Sequence, residues 1–503
     1  MKIRKSSRVL TILIVFTTSS LSGVSYANGP VPVVVMDGGS GTPGDLNITD
    51  LTDVGSKLYF TSGRGGELTQ LWASDGTASG TNQLSKFELT AATPSEDIEI
   101  QGPLIPIGSN VYFRRVSGYQ AINQDSLEFW RSDGTIAGTK KIDETNISGL
   151  NLSHLGTSGS KIYFAGHGGS NNPSNFSLYL YAFGGPTEQT PLLLNLEAEQ
   201  LQGVSIDNFS PDGPGAYFTT YTKLANGNYA LWHTDGTPAG TKKIYSFDDR
   251  IDPLYRSFLV SNGKLFFSAD DGIHGLEPWV SGSLPGSTHV LKNISDTGSS
   301  NADNFVTFKG KTFFVATDDI HGTSIWRTNG TEKGTVFFKQ IPARSFFVFG
   351  SKLLFISGTA NGDQWWASDG TSKGTAPFTN FTSQSRYFPL LKDIKVMGDK
   401  FYFGDLNGLW SSNGKSMNLV TATQVNELTK FGKSLLVFRG YSEKFGQEPW
   451  ISDGTSKGTR MLANLNLNGD SNPQEFTQVG SMLFFTAEDG KFDNHAHKLW
   501  MIR

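Results

Sequence analysis

Trp72-Ala73-Ser74-Asp75-Gly76-Thr77-Ala78-Ser79-Gly80-Thr81 is the stretch from which the fold can be read. Its pattern, Trp-x-x-Asp-Gly-Thr-x-x-Gly-Thr, returns intact from Trp130, Trp232, Trp366 and Trp450, and from Trp326 with Asn329 in place of Asp. Degenerate copies sit at Trp279, Trp410 and Trp500, and Tyr181 fills the aromatic slot once. Nine of the ten Trp residues thus anchor one repeat, and Trp365 is the neighbour of an anchor. Successive anchors lie 58, 51, 51, 47, 47, 40, 44, 40 and 50 residues apart, a period of about 48 that belongs to repeat architectures.

A three-residue apolar core that usually follows a Gly turn precedes each anchor. The cores end at Phe60, Phe113, Phe164, Phe218, Phe267, Phe314, Phe355, Phe403, Val437 and Phe485. Leu58-Tyr59-Phe60 after Gly55-Ser56-Lys57 reads as a hairpin turn running into an aromatic-rich strand. One unit shows four short strands, at Phe305 to Phe308, Thr312 to Ala316, Ser324 to Thr328 and Thr335 to Gln340, without helical periodicity. Such a blade cannot bury both faces alone, so ten of them predict an all-β fold, a β-propeller of four-stranded blades. Val31 to Met36 resembles a fourth strand and Trp500 to Arg503 follows a third, so the N-terminal strand is expected to complete the last blade and close the ring. Trp279 and Trp326 are 47 residues apart with no linker between them, which favours one ten-bladed ring over two five-bladed ones.

The repeated turn has a sufficient structural explanation. Asp75, Asp133, Asp235, Asp369 and Asp453 can accept from amides two residues on, while Gly takes positive φ and the Thr hydroxyl caps the turn. Ten equivalent hairpins do not make one catalytic site. The anchor Trp residues, flanked by apolar strand residues, are expected to pack between blades rather than to serve as sugar platforms.

These motifs resemble the bacterial ELWxxDGT repeat family of exported, hyalin-like proteins. Leu71-Trp72, Glu277-Pro278-Trp279 and Glu448-Pro449-Trp450 match its entry to strand three, and Asp270 to Gly275, with a shortened copy at Asp318 to Gly322, matches its Asp-Asp-Gly-Ile-His-Gly segment. The resemblance covers nearly all of the chain after Asn28 and implies a propeller in an extracytoplasmic setting, with no implied catalytic residues. The hairpin also resembles the Asp-box of sialidases and sortilin-type propellers, but its Ser-x-Asp-x-Gly-x-x-Trp spacing is absent, so only the structural role carries over.

Met1 to Arg8 is basic, Val9 to Phe16 is apolar, and Ser25-Tyr26-Ala27 fits small-x-small cleavage, so residues 1–27 read as a signal peptide. The product is expected in the periplasm or outside the cell, with no transmembrane segment after cleavage, acting as a monomer. The 503 residues include 58 Gly and no Cys, which excludes disulfides, thiolate metal sites, a Cys nucleophile and a lipobox. Without residues 1–27, 38 basic residues face 46 acidic ones, a formal charge of −8, which argues against nucleic acid as a partner.

From core to anchor the spacing is 12, 17, 17, 14, 12, 12, 11, 7, 13 and 15 residues. These variable loops and the connections between blades share one face of a propeller, where binding residues concentrate on a rigid scaffold. Candidates there are Asp270, Asp271, His274, Asp318, Asp319, His321, Glu488, Asp489, His495 and His497. Adjacent carboxylates in Gly-bearing loops suit Ca²⁺, yet no stretch matches an EF-hand loop, so solvated turn residues are the favoured reading with Ca²⁺ left open. His495-x-His497 on a strand would share a face, but no third ligand lies near in sequence. His274 and His321 are equivalent in adjacent repeats and belong to the repeat more readily than to a catalytic dyad. In order, the chain reads as a module binding a glycan or a protein, a structural surface protein, or a propeller glycosidase or lyase, the last needing a convergent carboxylate pair.

Overall fold

The computed structural model describes residues 33–36, 46–64, 68–87, 99–117, 126–142, 151–168, 177–183, 192–196, 204–222, 228–247, 257–359, 362–383, 393–490 and 497–503. The proposed signal segment and His495 lie outside them. The described residues form ten four-stranded antiparallel sheets and no α-helix. Blades 1 to 9 span residues 46–83, 99–141, 151–196, 204–246, 259–290, 303–339, 343–383, 395–421 and 425–461. Blade 10 is built from residues 474–502, with Val33–Met36 as its fourth strand. Val33 pairs with Met501 and Val34 with Trp500, so the two ends of the chain close the ring in one sheet.

The four strands of blade 6, Asp303–Phe308, Lys311–Asp318, Gly322–Thr328 and Val336–Lys339, fall where the sequence pattern puts them. The strand-two core is a continuous apolar run because both faces of a blade are covered. In blade 1, Leu58 and Phe60 pack toward blade 10 with Phe484 and Met501, whereas Tyr59 packs toward blade 2 with Val111 and Phe113. Successive side chains on a strand point to opposite faces, so three apolar residues in a row feed two seams. Each fully buried aromatic contributes roughly 1.5–3 kcal/mol relative to exposure.

Every seam has such a cluster. Blades 2 and 3 share Phe129 and Phe164, 3 and 4 Leu180 and Phe218, and 4 and 5 Leu231 and Phe267. The series continues with Leu291 and Phe305, Ile325 and Phe355, Trp365 and Phe403, Leu409 and Phe438, and Ile451 and Phe485. Blades 5 and 6 are therefore neighbours in the same ring as blades 10 and 1. Across the last seam Leu51 N–H donates to Glu475 Oε2 at 2.9 Å and the Thr477 hydroxyl donates to the Leu51 carbonyl at 3.1 Å.

The anchor aromatic stands directly opposite the last residue of the strand-two core. Phe60 pairs with Trp72, Phe113 with Trp130, Phe218 with Trp232 and Phe355 with Trp366, their rings stacked at 6.1–6.3 Å. In blade 9 the partner of Trp450 is Phe438, one residue beyond Val437, where the core was expected to end. The cause is the turn Gly432 to Ser434, one residue longer than Gly350 to Ser351 in blade 7, which shifts the register of a four-residue apolar run.

Candidate functional site

The two faces of the ring are chemically different. On one lie the strand 1–2 turns and the Asp-Gly-Thr hairpins. In all six intact hairpins the Asp or Asn Oδ1 accepts from the Thr hydroxyl two residues on at 2.7 Å. It also accepts the N–H of that Thr, at 2.8–3.1 Å. The Thr hydroxyls hold the carboxyls of Asp75, Asp133, Asp235 and Asp369 below their ordinary range. At Gly80 a Cβ would fall 2.0–2.2 Å from the Asp75 carboxylate, so the second Gly of the motif exists to admit that side chain.

A residue read as variable completes the hairpin. Ser74, Ser132, Thr234, Thr328, Ser368 and Ser452, each just before the Asp or Asn, are buried. Their hydroxyls accept the N–H of the motif's first Gly at 2.9–3.2 Å. Each also bonds the hydroxyl of the closing Thr at 2.6–2.8 Å. The signal was present, since a hydroxyl residue stands at that place in every intact copy. The hairpins are also clasped by the preceding blade: Lys57, Lys161, Lys264 and Lys352 donate to the carbonyls of Gly134, Gly236, Gly330 and Gly414. The repeated polar side chains of this face thus find their partners within the ring.

The opposite face carries the strand 2–3 loops and the connections between blades. Asp271 Oδ1 accepts the amides of Ile273 and His274 at 2.9 and 2.8 Å, and its Oδ2 lies 2.7 Å from His274 Nδ1. Asp318 repeats this geometry with Ile320 and His321, again with 2.7 Å to the imidazole. Asp270 accepts from Gly272 N–H at 2.7 Å. Burial works to raise the pKa of Asp271 and Asp318, but the His and Ile hydrogen bonds outweigh it and both carboxyls are held below the ordinary range. The His321 ring stacks on Phe337 at 4.0 Å. Asp319 reaches from blade 6 to the blade 5–6 connection, accepting from the Thr297 hydroxyl and from Asp296 N–H.

Two carboxylates that sequence reasoning treated as family signature are structural centres of this face. Glu277 and Glu448, each two residues before an anchor Trp, are fully buried. Glu277 accepts the amides of Ile294, Ser295 and Ser300 at 3.0–3.3 Å. Glu448 accepts from Leu465 N–H at 2.9 Å and the Ser471 hydroxyl at 2.7 Å. Beyond each, a serine carbonyl receives the next blade's strand: Thr317 N–H donates to Ser300 O and Glu488 N–H to Ser471 O, both at 2.8 Å. Burial raises the Glu277 pKa and pushes Glu448 up to about 7. The shared pattern is Glu-Pro-Trp followed by Gly-x-Ser-Asn, with the serine 23 residues after the Glu.

The remaining candidates fall in blade 10. Glu488 accepts from Asn472 Nδ2 at 3.2 Å and lies 3.6 Å from His497 Nε2. Asp489 pairs with buried Lys498 at 2.8 Å. The structure thus gathers Asp270, Asp271 and His274 in one loop, Asp318, Asp319 and His321 in the next, and Glu488, Asp489 and His497 four blades on. Among the described residues no three His, Asp or Glu side chains are placed to hold a metal ion. On the inner strands, Glu475 N–H donates to Glu427 Oε2 at 3.1 Å, and burial raises the pKa of Glu475 and Asp50. Glu475 is occupied by the amide of Leu51 across the seam.

No protein-family model and no curated protein matches the chain. Among solved structures it is similar to the β-propeller domain of the trilobed protease from Pyrococcus furiosus, at 12% identity and TM-score 0.31, over 62% of this chain and 95% of that one. The acylaminoacyl peptidase of Pyrococcus horikoshii matches at 11% identity and TM-score 0.33, over 80% of this chain but only 59% of the peptidase. An uncharacterized protein from Listeria monocytogenes matches at 10% identity and TM-score 0.33, over 65% of this chain and 96% of that one. Likeness at this level carries no argument about what this chain does.

Proposed function

We propose that this ten-bladed propeller is an exported, non-catalytic binding module of the ELWxxDGT repeat type, taking a glycan or a protein on its loop face in the periplasm or at the cell surface. The observation that carries the reading is the contrast between the faces. On the hairpin face the repeated Asp, Ser and Thr side chains are taken up by their own turns, and four lysines by clasps between blades. Both faces carry exposed apolar residues, Ile136 and Leu284 among them on the hairpin face, but the two most exposed, Ile273 and Ile320, stand on the loop face at equivalent positions of adjacent repeats, on turns braced by carboxylates. Side chains of that kind contribute nothing to the core, and rigid presentation lowers the entropy lost on association. The carboxylates best placed for acid–base work, Glu277, Glu448 and Glu475, each hold backbone amides, which supports binding over turnover.

The test is binding of the intact protein to immobilised glycans and extracellular proteins, with and without calcium, beside an assay for release of sugar fragments. Reproducible capture without turnover supports the reading. Turnover, or the absence of capture in both buffers, contradicts it.

A further inference from the structure

We infer that the loop face over blades 5 and 6 docks a cationic polypeptide segment that carries apolar side chains, with Ile273 and Ile320 as the two apolar contacts. This rests on the binding-module reading and narrows its ligand to protein. Ile273 and Ile320 are the most exposed large apolar side chains among the described residues, at 82% and 85%. They occupy the same position in neighbouring repeats, and each is raised on a turn whose Asp accepts the isoleucine's own N–H. Turn chemistry selects Gly, Asn, Asp or Ser, so a β-branched apolar residue at two equivalent tips has no origin in the turn itself. Folding does not use these side chains, and a partner would remove them from water.

Charge selects the partner. Around the tips lie Asp270, Asp271, Asp296 and Asp319, and Lys292 is the one Lys or Arg among the described residues of these two loops and the connection between them. The Thr297 hydroxyl and the Asp296 amide keep Asp319 below the ordinary carboxylate range, so the field persists at neutral pH. Such a surface repels phosphate backbones and anionic lipid and steers basic segments. A neutral glycan gains little from that field, and the rings beside the tips, the His274 and His321 imidazoles, are each held by the Asp of their own turn. A segment alternating basic and apolar residues uses both features at once.

The tips belong to a braced unit. Asp319 of blade 6 grips the connection leaving blade 5, and the Gln340 amide donates to the His321 carbonyl at 2.8 Å. The spacing of the two isoleucines is thereby set by the ring rather than by loop motion. Preorganised contacts of this kind convert to affinity with little ordering cost.

The experiment immobilises the intact protein and passes short synthetic peptides over it: alternating Lys and Leu, alternating Glu and Leu, and alternating Lys and Ser, beside an array of neutral glycans. The expected result is that the Lys–Leu peptide binds at least about tenfold more tightly than the other two, and weakens by about tenfold or more between about 50 and about 300 mM salt. Replacing both tips (Ile273→Ser with Ile320→Ser) should weaken it by about tenfold or more, as loss of two buried aliphatic contacts requires. Ile136→Ser, an exposed isoleucine on the hairpin face, should leave it unchanged. Circular dichroism confirms that the variants fold. Equal binding by the double variant, or equal loss in Ile136→Ser, overturns the inference. Capture of glycans with no peptide binding overturns it while the binding-module reading stands, and capture of neither overturns both.

Discussion

Lys57 Nζ donates to the carbonyl oxygen of Gly134, 3.2 Å away and 77 residues on, so the opening turn of blade 1 holds the closing hairpin of blade 2. The same bond joins blades 3 and 4, 5 and 6, and 7 and 8. A blade has no stability of its own in such a ring, and these clasps act together with the apolar seams to fix each blade on the next. Gly134 adopts φ +84°, and a Cβ there would approach the Tyr59 hydroxyl to 2.5 Å. We expect Lys57→Met to cost about 0.5–1.5 kcal/mol, the worth of one hydrogen bond, and Gly134→Ala to cost more because strain and a clash add. Urea denaturation of the two variants checks the order, and a Lys57→Met protein as stable as the parent would refute the clasp.

Within the hairpin, Asn329 Oδ1 makes the same bonds as the Asp residues, at 3.1 Å to the Thr331 amide and 2.7 Å to its hydroxyl. Asp453→Asn should therefore be close to silent, while Asp453→Ala should cost about 1 kcal/mol, as the loss of a cap does. Ser452→Ala, which leaves the buried Gly454 amide without its acceptor, should cost about 1–3 kcal/mol. Thermal melts that rank Asp453→Asn beside Asp453→Ala would show that charge, not the acceptor, matters.

Glu448 and Glu277 should add stability as the medium turns mildly acidic, against His154 and His233, whose burial lowers their pKa values and acts the other way as pH falls through about 6.5. The folded pKa of Glu448, about 7, lies above its ordinary 4.5, and that of Glu277 is raised in the same direction. A group raised in this way contributes stability fully present below its unfolded value and lost as pH rises through its folded value, here between about 4.5 and 7. Asp271 and Asp318 are shifted down and act oppositely, their contribution being lost only as pH falls through their folded values, below about 4. Glu448→Gln keeps an acceptor for Leu465 N–H and should flatten the rise between pH 5 and 7. A pH profile unchanged by that substitution would contradict the assignment.

Asp319→Ala should release the connection between blades 5 and 6 without unfolding the ring. Amide exchange at Asp296, whose N–H donates to Asp319 at 2.8 Å, is expected to quicken by about tenfold or more while the global melting temperature stays close to that of the parent. Exchange as slow as in the parent would mean that the connection is held elsewhere.

The ten blades, the four strands of each and the closure by Val33–Met36 were legible because Trp, Gly and the strand-two aromatics punctuate every repeat. Blade 9 misled by one residue, since Leu435 to Phe438 is a uniform apolar run whose register is set by the length of the turn before it. Ser74 and its equivalents looked variable because two residue types share one hydroxyl role. The roles of Lys57 and Glu277 were not legible, because their partners are backbone groups far along the chain. A carbonyl or an amide leaves no residue-type signature at the distant position. For the site, the sequence grouped Asp270 with His274 and Asp318 with His321, and the geometry adds that these carboxylates grip their own turns and raise the isoleucines between them.

The central claim is that ligands meet the loop face and not the hairpin face. The direct measurement is titration calorimetry of the tightest array ligand into the parent, the Ile273→Ser/Ile320→Ser protein and the Ile136→Ser protein. Loss of binding heat in the double loop-face variant, with parent-like affinity in Ile136→Ser, is the expected result. Parent-like affinity in the loop-face variant with loss in Ile136→Ser would place binding on the other side of the ring and contradict the claim.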